Sequence, residues 1–275
     1  MVGFIRKIIV IMLIALLAFV IIWPASAKDV TISGSSTVMP LAEVAAEEFN
    51  MQQNDYVVTV SAGGTGAGIL GIAERKNDIA MASREITGDE RQRFGDSFEE
   101  FLIGLDGIGL AVSDEVYEAG VKGLTRDQVR EIYLGNITNW KELGGPDADI
   151  YVVSREEGSG TRDSFNEIIL GCKGVEMPGV DTVAFGAAEV KTAIAGSDKA
   201  IGYLGFNYLG GGVAGIAFNG IAPTYENIKL DLYELHRHLY FYTYGKPTSG
   251  AQAFIDFVRG LEGQKIAADE GFIPI

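Results

Sequence analysis

The chain has 275 residues, 47% of them hydrophobic and 21% charged, with 36 glycines but only 7 prolines, which excludes a disordered or collagen-like polymer. Its single cysteine, Cys172, excludes an internal disulfide and a multi-cysteine metal site, and two histidines, His236 and His238, leave little for a histidine-rich metal centre. A formal charge of −15 argues against nucleic acid or an anionic membrane surface as partner.

The first element is a leader. Arg6 and Lys7 precede an aliphatic run, Pro24 interrupts it, and Ala25-Ser26-Ala27 supplies a small-residue cleavage site. Residues 1–27 therefore read as a signal peptide or, uncleaved, as an N-terminal anchor, because the charge-free run nearly spans a bilayer. Both readings put the remainder outside the cytoplasmic membrane. Residues 30–32 form a short strand, followed by the polar loop 33–37 and a helix with Leu41, Val44, Ala45 and Phe49 at helical spacing. A strand at 56–60 meets the glycine loop 62–68, then a helix carrying Ile69, Leu70 and Ile72. Residues 78–83 read as a buried strand, and 108–112 as another. Thr125-x-x-Gln128 opens a helix as a capping box. A strand at 150–154 ends at Arg155 and leads through Gly158-Ser159-Gly160-Thr161 into a helix with Phe165, Ile168 and Ile169. Residues 183–185, a helix through Val190 and Ile194, and a strand at 201–204 continue the rhythm. A strongly strand-forming run at 239–243 and a last long helix opened by Ser249-x-x-Gln252 complete the chain.

Strand–loop–helix repetition is the signature of parallel α/β sheets. The units outnumber what one small sheet needs, and no linker divides them. A two-lobed body crossed twice by the chain, at 107–113 and 238–244, accounts for both facts.

Loops at strand C-termini line the crevice of such sheets. Three of them here share one chemistry: Gly34-Ser35-Ser36-Thr37, Gly63-Gly64-Thr65-Gly66 and Gly158-Ser159-Gly160-Thr161. Glycine lets the backbone approach a ligand, Ser and Thr bring neutral donors, and the helix that follows offers free N–H groups and positive potential. Any one such loop taken alone reads first as ordinary capping. Three together, with Arg155 able to make a bidentate charged contact, suit an oxyanion. The glycine loop at 63–68 is neither G-x-G-x-x-G nor a P-loop, and no serine sits in G-x-S-x-G. His236, His238 and Trp140 read as structural.

With these motifs in order, the mature chain resembles the substrate-binding proteins of phosphate ABC transporters. The resemblance runs from Ser33-Gly34-Ser35-Ser36-Thr37-Val38 through Gly63–Gly68, Ala82-Ser83-Arg84-Glu85, Ile132-Tyr133-Leu134-Gly135 with Thr138-Asn139-Trp140, Arg155–Thr161 and Ala200-Ile201-Gly202-Tyr203. It implies a two-lobed periplasmic-binding-protein fold of type II: two parallel or mixed sheets with flanking helices, joined by two hinge strands. Lobe one is expected at 28–110 and 239–275, and lobe two at 111–238. The implied function is capture of inorganic phosphate and delivery to a membrane permease by a monomer, without catalysis or cofactor. The alternatives are another oxyanion (sulfate, molybdate or tungstate), or a phosphatase or sensor on the same scaffold. The implied ligand set is Ser36, Thr37, the Val38 N–H, Thr65, Ser83, Arg84, Arg155, Ser159, Gly160 and Thr161, with Glu157 orienting Arg155. One position departs from the family pattern. Well-known members carry a proton-accepting aspartate after the serine, where this chain has Arg84; Asp163 and Glu156 are the substitutes within reach in the sequence.

Overall fold

The structure, a computed structural model, describes residues 27–275. The leader or anchor expected at 1–27 falls outside them but for Ala27. The first half opens with β1 (Lys28–Gly34), α1 (Met39–Gln52), β2 (Tyr56–Ala62), α2 (Thr65–Ala73) and β3 (Ile79–Ala82). β1 is central and runs parallel to both β2 and β3. Its inward residues Val30 and Ile32 alternate with half-buried Thr31 and Ser33, the period-two pattern of a strand covered on one face. α1 buries Leu41, Ala42, Ala45, Ala46 and Phe49 against it, each large side chain contributing ~1.5–3 kcal/mol. Next comes α3 (Gly88–Phe94), a helix the sequence reading did not anticipate. A reciprocal Thr87–Glu90 capping box fixes its start.

The second half repeats the plan. β4 (Phe98–Ser113), α4 (Asp114–Glu118), β5 (Gly123–Leu124) and α5 (Arg126–Tyr133) lead to β6 (Tyr151–Arg155) and α6 (Gly160–Leu170). β7 (Thr182–Ala184), α7 (Ala187–Ala195), β8 (Ala200–Gly205), β9 (Val213–Gly215), β10 (Ala217–Phe218) and α8 (Tyr225–Lys229) follow. β6 is central here, parallel to β7 and β8. The expected Thr125–Gln128 capping box is present. Trp140 is fully buried and donates its indole N–H to the Lys199 carbonyl at 2.9 Å, a packing role as read.

The chain closes with β11 (His236–Tyr244), α9 (Ser249–Arg259) and α10 (Leu261–Asp269). Three expectations change. The strand read at 108–112 is the end of a 16-residue strand, β4. Because β4 serves both halves, the expected two sheets are one curled, mixed sheet in the order β2-β1-β3-β11-β4-β8-β6-β7, with β9 also on β4. The last long helix breaks at Gly260, which ends α9 and begins α10 in extended conformation. The α9 cap is Thr248, whose hydroxyl accepts from the Ala251 N–H, rather than Ser249.

β4 pairs with β11 from Phe98 to Gly107 and with β8 from Ile108 onward. The partner change at 107/108 falls at the start of the first crossing expected from sequence, and β11 begins two residues before the second. Separate apolar cores lie on each side. One gathers Leu41, Phe241, Phe254 and Phe272, and the other Ile108, Trp140, Phe165 and Tyr203.

Candidate functional site

The two central strands, β1 and β6, end facing each other across the junction of the halves. β1 ends at Gly34, φ +139°, where a Cβ would lie 2.2 Å from the Met81 carbonyl oxygen; only glycine lets β1 turn there against β3. The turn buries Ser35 and Thr37 and half-buries Ser36. Ser35 donates its hydroxyl to Ser83 Oγ at 3.0 Å and accepts the Thr37 N–H at 3.2 Å. Thr65, the first residue of α2, is fully buried. Its Oγ1 accepts the Ser83 N–H at 3.3 Å and lies 3.4 Å from Ser83 Oγ. Ser35, Ser83 and Thr65 thus form one chain of hydroxyls.

Several contacts join the halves. Thr37 Oγ1 lies 3.1 Å from Thr161 Oγ1, and the Gly66 N–H donates to the Gly158 carbonyl at 3.0 Å. A Cβ on Gly160 would come within 2.6 Å of both Ser83 Oγ and Thr65 Oγ1, so the start of α6 is seated directly on the hydroxyl chain. Ser159 caps α6 by accepting the Arg162 N–H at 3.3 Å.

Arg155 is 2% exposed at the end of β6. Glu156 takes its Nε and Nη2 hydrogens in a fork at 2.8 Å each, and Nη2 also donates to Ser36 Oγ at 3.2 Å. Its Nη1 is buried with no partner among the described residues. Behind it, Tyr203 accepts the Arg155 backbone N–H, shares a hydrogen bond with Ser154 Oγ and stacks on Phe165 at 3.9 Å between centroids. The Arg155 backbone is thereby held on a rigid backing.

Four sequence expectations are corrected. Arg84 does not turn to this cluster: Nε donates to Asp163 at 2.6 Å, Nη1 to Glu90 and the Glu85 carbonyl, and Nη2 to Glu90. Burial opposes the Arg84 charge, but bonds and charge from Glu90 and Asp163 outweigh it and raise its pKa. Asp163 and Glu156, the substitute proton acceptors, are committed to Arg84 and Arg155. The carboxylate that grips Arg155 is Glu156, while Glu157 is exposed. The Val38 N–H, expected to face the ligand, donates to the Ser35 carbonyl at 3.2 Å and fixes the turn. The remaining residues, Ser36, Thr37, Thr65, Ser83, Arg155, Ser159, Gly160 and Thr161, come together at the junction.

The sequence reading missed Arg237 and Asp106. They stand opposite each other on β11 and β4, both buried, and pair with Nη2–Oδ2 at 2.8 Å. Arg237 Nη2 also donates to Thr37 Oγ1 at 3.2 Å. The available signal was an anion and a cation each one residue before the crossings expected at 107–113 and 238–244.

A junction between two α/β halves, with helices starting into it and hydroxyls and buried arginine around it, defines a bilobal binding protein. Residues 22–260 match the family described as PBP superfamily domain. The phosphate-binding protein PstS of Bacillus subtilis (strain 168) is 33% identical over 250 residues, 90% of this chain and 81% of that protein. A crystal structure from Clostridium perfringens, described as a phosphate ABC transporter substrate-binding protein with bound phosphate, superposes with TM-score 0.83 at 38% identity, covering 90% of this chain and all of that one. An ABC-type phosphate transport receptor from Vibrio cholerae gives TM-score 0.73 at 32% identity, over 90% and 100%. The chain belongs to the phosphate ABC transporter substrate-binding proteins of the PBP superfamily, a transport family with a two-lobed fold.

Proposed function

We propose that the chain captures inorganic phosphate outside the cytoplasmic membrane and delivers it to the permease of an ABC transporter. The observation that carries this reading is Arg155: a buried cation with an unpartnered Nη1, clasped by Glu156 and fixed beside Ser36. A buried guanidinium N–H without an acceptor is costly, and a tetrahedral oxyanion supplies acceptors in the geometry it favours. Thr37, Thr65, Ser83 and Thr161 contribute hydroxyl donors. The α6 start, with Ser159 and Gly160, contributes backbone N–H groups and the positive end of a helix dipole.

We take lobe one as residues 28–107 and 236–275, and lobe two as 108–235, following the change of strand partner. The lobes close on the ligand by bending where β4 and β11 cross. Among the described residues no helix is long and apolar enough to cross a membrane. Export then depends on the leader, cleaved or retained. The protein acts by binding alone, as a monomer, without turnover or cofactor.

Calorimetry with phosphate, arsenate, sulfate, molybdate and tungstate tests this. One-to-one binding with phosphate and arsenate preferred is expected. Absence of phosphate binding, or much tighter binding of another oxyanion, overturns it. Turnover of a phosphomonoester would overturn the binding-only part.

A further inference from the structure

We propose that Arg237 is a second arginine of the anion site, aimed by Asp106, so that the ligand is held between guanidinium groups from β6 and β11. The proposal rests on the phosphate-capture reading. Neighbouring hydroxyls anchor the two arginines: Arg155 Nη2 donates to Ser36 and Arg237 Nη2 to Thr37, each at 3.2 Å. Thr37 in turn touches Thr161 at the start of α6. Both guanidinium groups are more than nine-tenths buried, and each keeps a buried Nη1 with no partner among the described residues.

Asp106 does not fully satisfy its partner. Arg237 Nε and Nη2 both reach the same carboxylate oxygen, Oδ2, leaving Nη1 free. Asp106 therefore acts as a positioning residue: it fixes the fork through Oδ2 and balances one charge while leaving the buried Nη1 without an acceptor. Burial, together with the nearby Arg155 charge, pushes the Arg237 guanidinium below its ordinary range. An anion between the two arginines relieves both effects at once. Gly205 adds the needed room, since a Cβ there would lie 3.3 Å from both Asp106 Oδ2 and Thr37 Cγ2 and 2.8 Å from Asn207 Oδ1.

The test is calorimetry with inorganic phosphate on the unsubstituted protein, Arg155→Gln, Arg237→Gln and the double variant Asp106→Asn/Arg237→Gln. Arg237→Gln should bind about tenfold or more weakly, the scale of one charge-assisted hydrogen bond. The double variant removes the stranded carboxylate and should stay weak. If it binds like the unsubstituted protein, the arginine merely neutralised Asp106 and the proposal falls. It falls equally if Arg237→Gln binds unchanged while Arg155→Gln does not, a result that leaves phosphate capture standing. An unsubstituted protein that takes no phosphate overturns the capture reading and this proposal with it. Should Arg237→Gln fail to fold, nitrogen-15 NMR of the unsubstituted protein decides. Phosphate must shift the Arg237 guanidinium resonances, and unshifted resonances overturn the assignment.

Discussion

Arg155 and Thr65 reach the same junction with unequal means. Thr65 is a neutral hydroxyl already engaged with Ser83, whereas Arg155 is a permanent charge with a donor to spare. Arg155→Ala should therefore cost about 2–3 kcal/mol of phosphate affinity and Thr65→Ala about 1 kcal/mol. Titration of the two purified variants checks the ranking, and equal affinities refute it. Arg84 belongs to a different account, that of stability. Burial works against Glu90 ionising, but the bonds and charge of Arg84, and those from Thr87, hold its pKa below the ordinary 4.5. A carboxylate with a depressed folded-state pKa stabilises the fold above its unfolded value and loses that stabilisation as pH falls through the folded one. Glu90→Gln should therefore lower stability by about 1–2 kcal/mol at neutral pH, and its loss of stability below about pH 4.5 should be shallower than the parent's. Thermal melts from pH 7 to pH 3 test this; curves that stay parallel throughout count against it.

The start of α6 is the element on which closure turns. Gly160 sits in the first helical turn at the point where a side chain would strike Ser83 and Thr65 of the other half. Gly160→Val should abolish phosphate binding while leaving the melting temperature within a few degrees, because the clash lies between halves and not within either core. A variant that binds normally would show that α6 does not seat on the hydroxyl chain. This element was legible in the sequence, since Gly-Ser-Gly-Thr after a strand and before an apolar-periodic helix has a definite physical meaning. So were both central strands and the Thr125 capping box. Arg84 and Glu156 were not legible in the same way. Their roles depend on which carboxylate the fold brings near: Glu90, six residues along the chain from Arg84, and Asp163 from the opposite half. Arg237 and Asp106 escaped because strand alternation marks which face a residue takes, but not which residue of a distant strand stands opposite it.

At the scale of the molecule, donors from both halves can serve one ligand only when the halves meet. The contacts Thr37–Thr161 and Gly66–Gly158 describe the closed state. Small-angle scattering should record a smaller radius of gyration at saturating phosphate than without it. An unchanged radius would mean that the halves are already closed before the ligand arrives, or do not move at all.

The shared strand β4 and the late strand β11 also fix an order of assembly. Every partner in the second half's sheet, β4 from Ile108 with β6, β7, β8 and β9, lies within residues 108–215. The first half cannot close until β11, His236–Tyr244, slots between β3 and β4. As the chain emerges N-terminus first, the half begun earliest is completed last. In the interval β3 presents an unpaired apolar edge, Ile79–Ala82, of the kind that recruits strands from other chains. Aggregation during export should therefore begin at β3, and amide protection in refolding should reach β6 and β8 before it reaches β1 and β3.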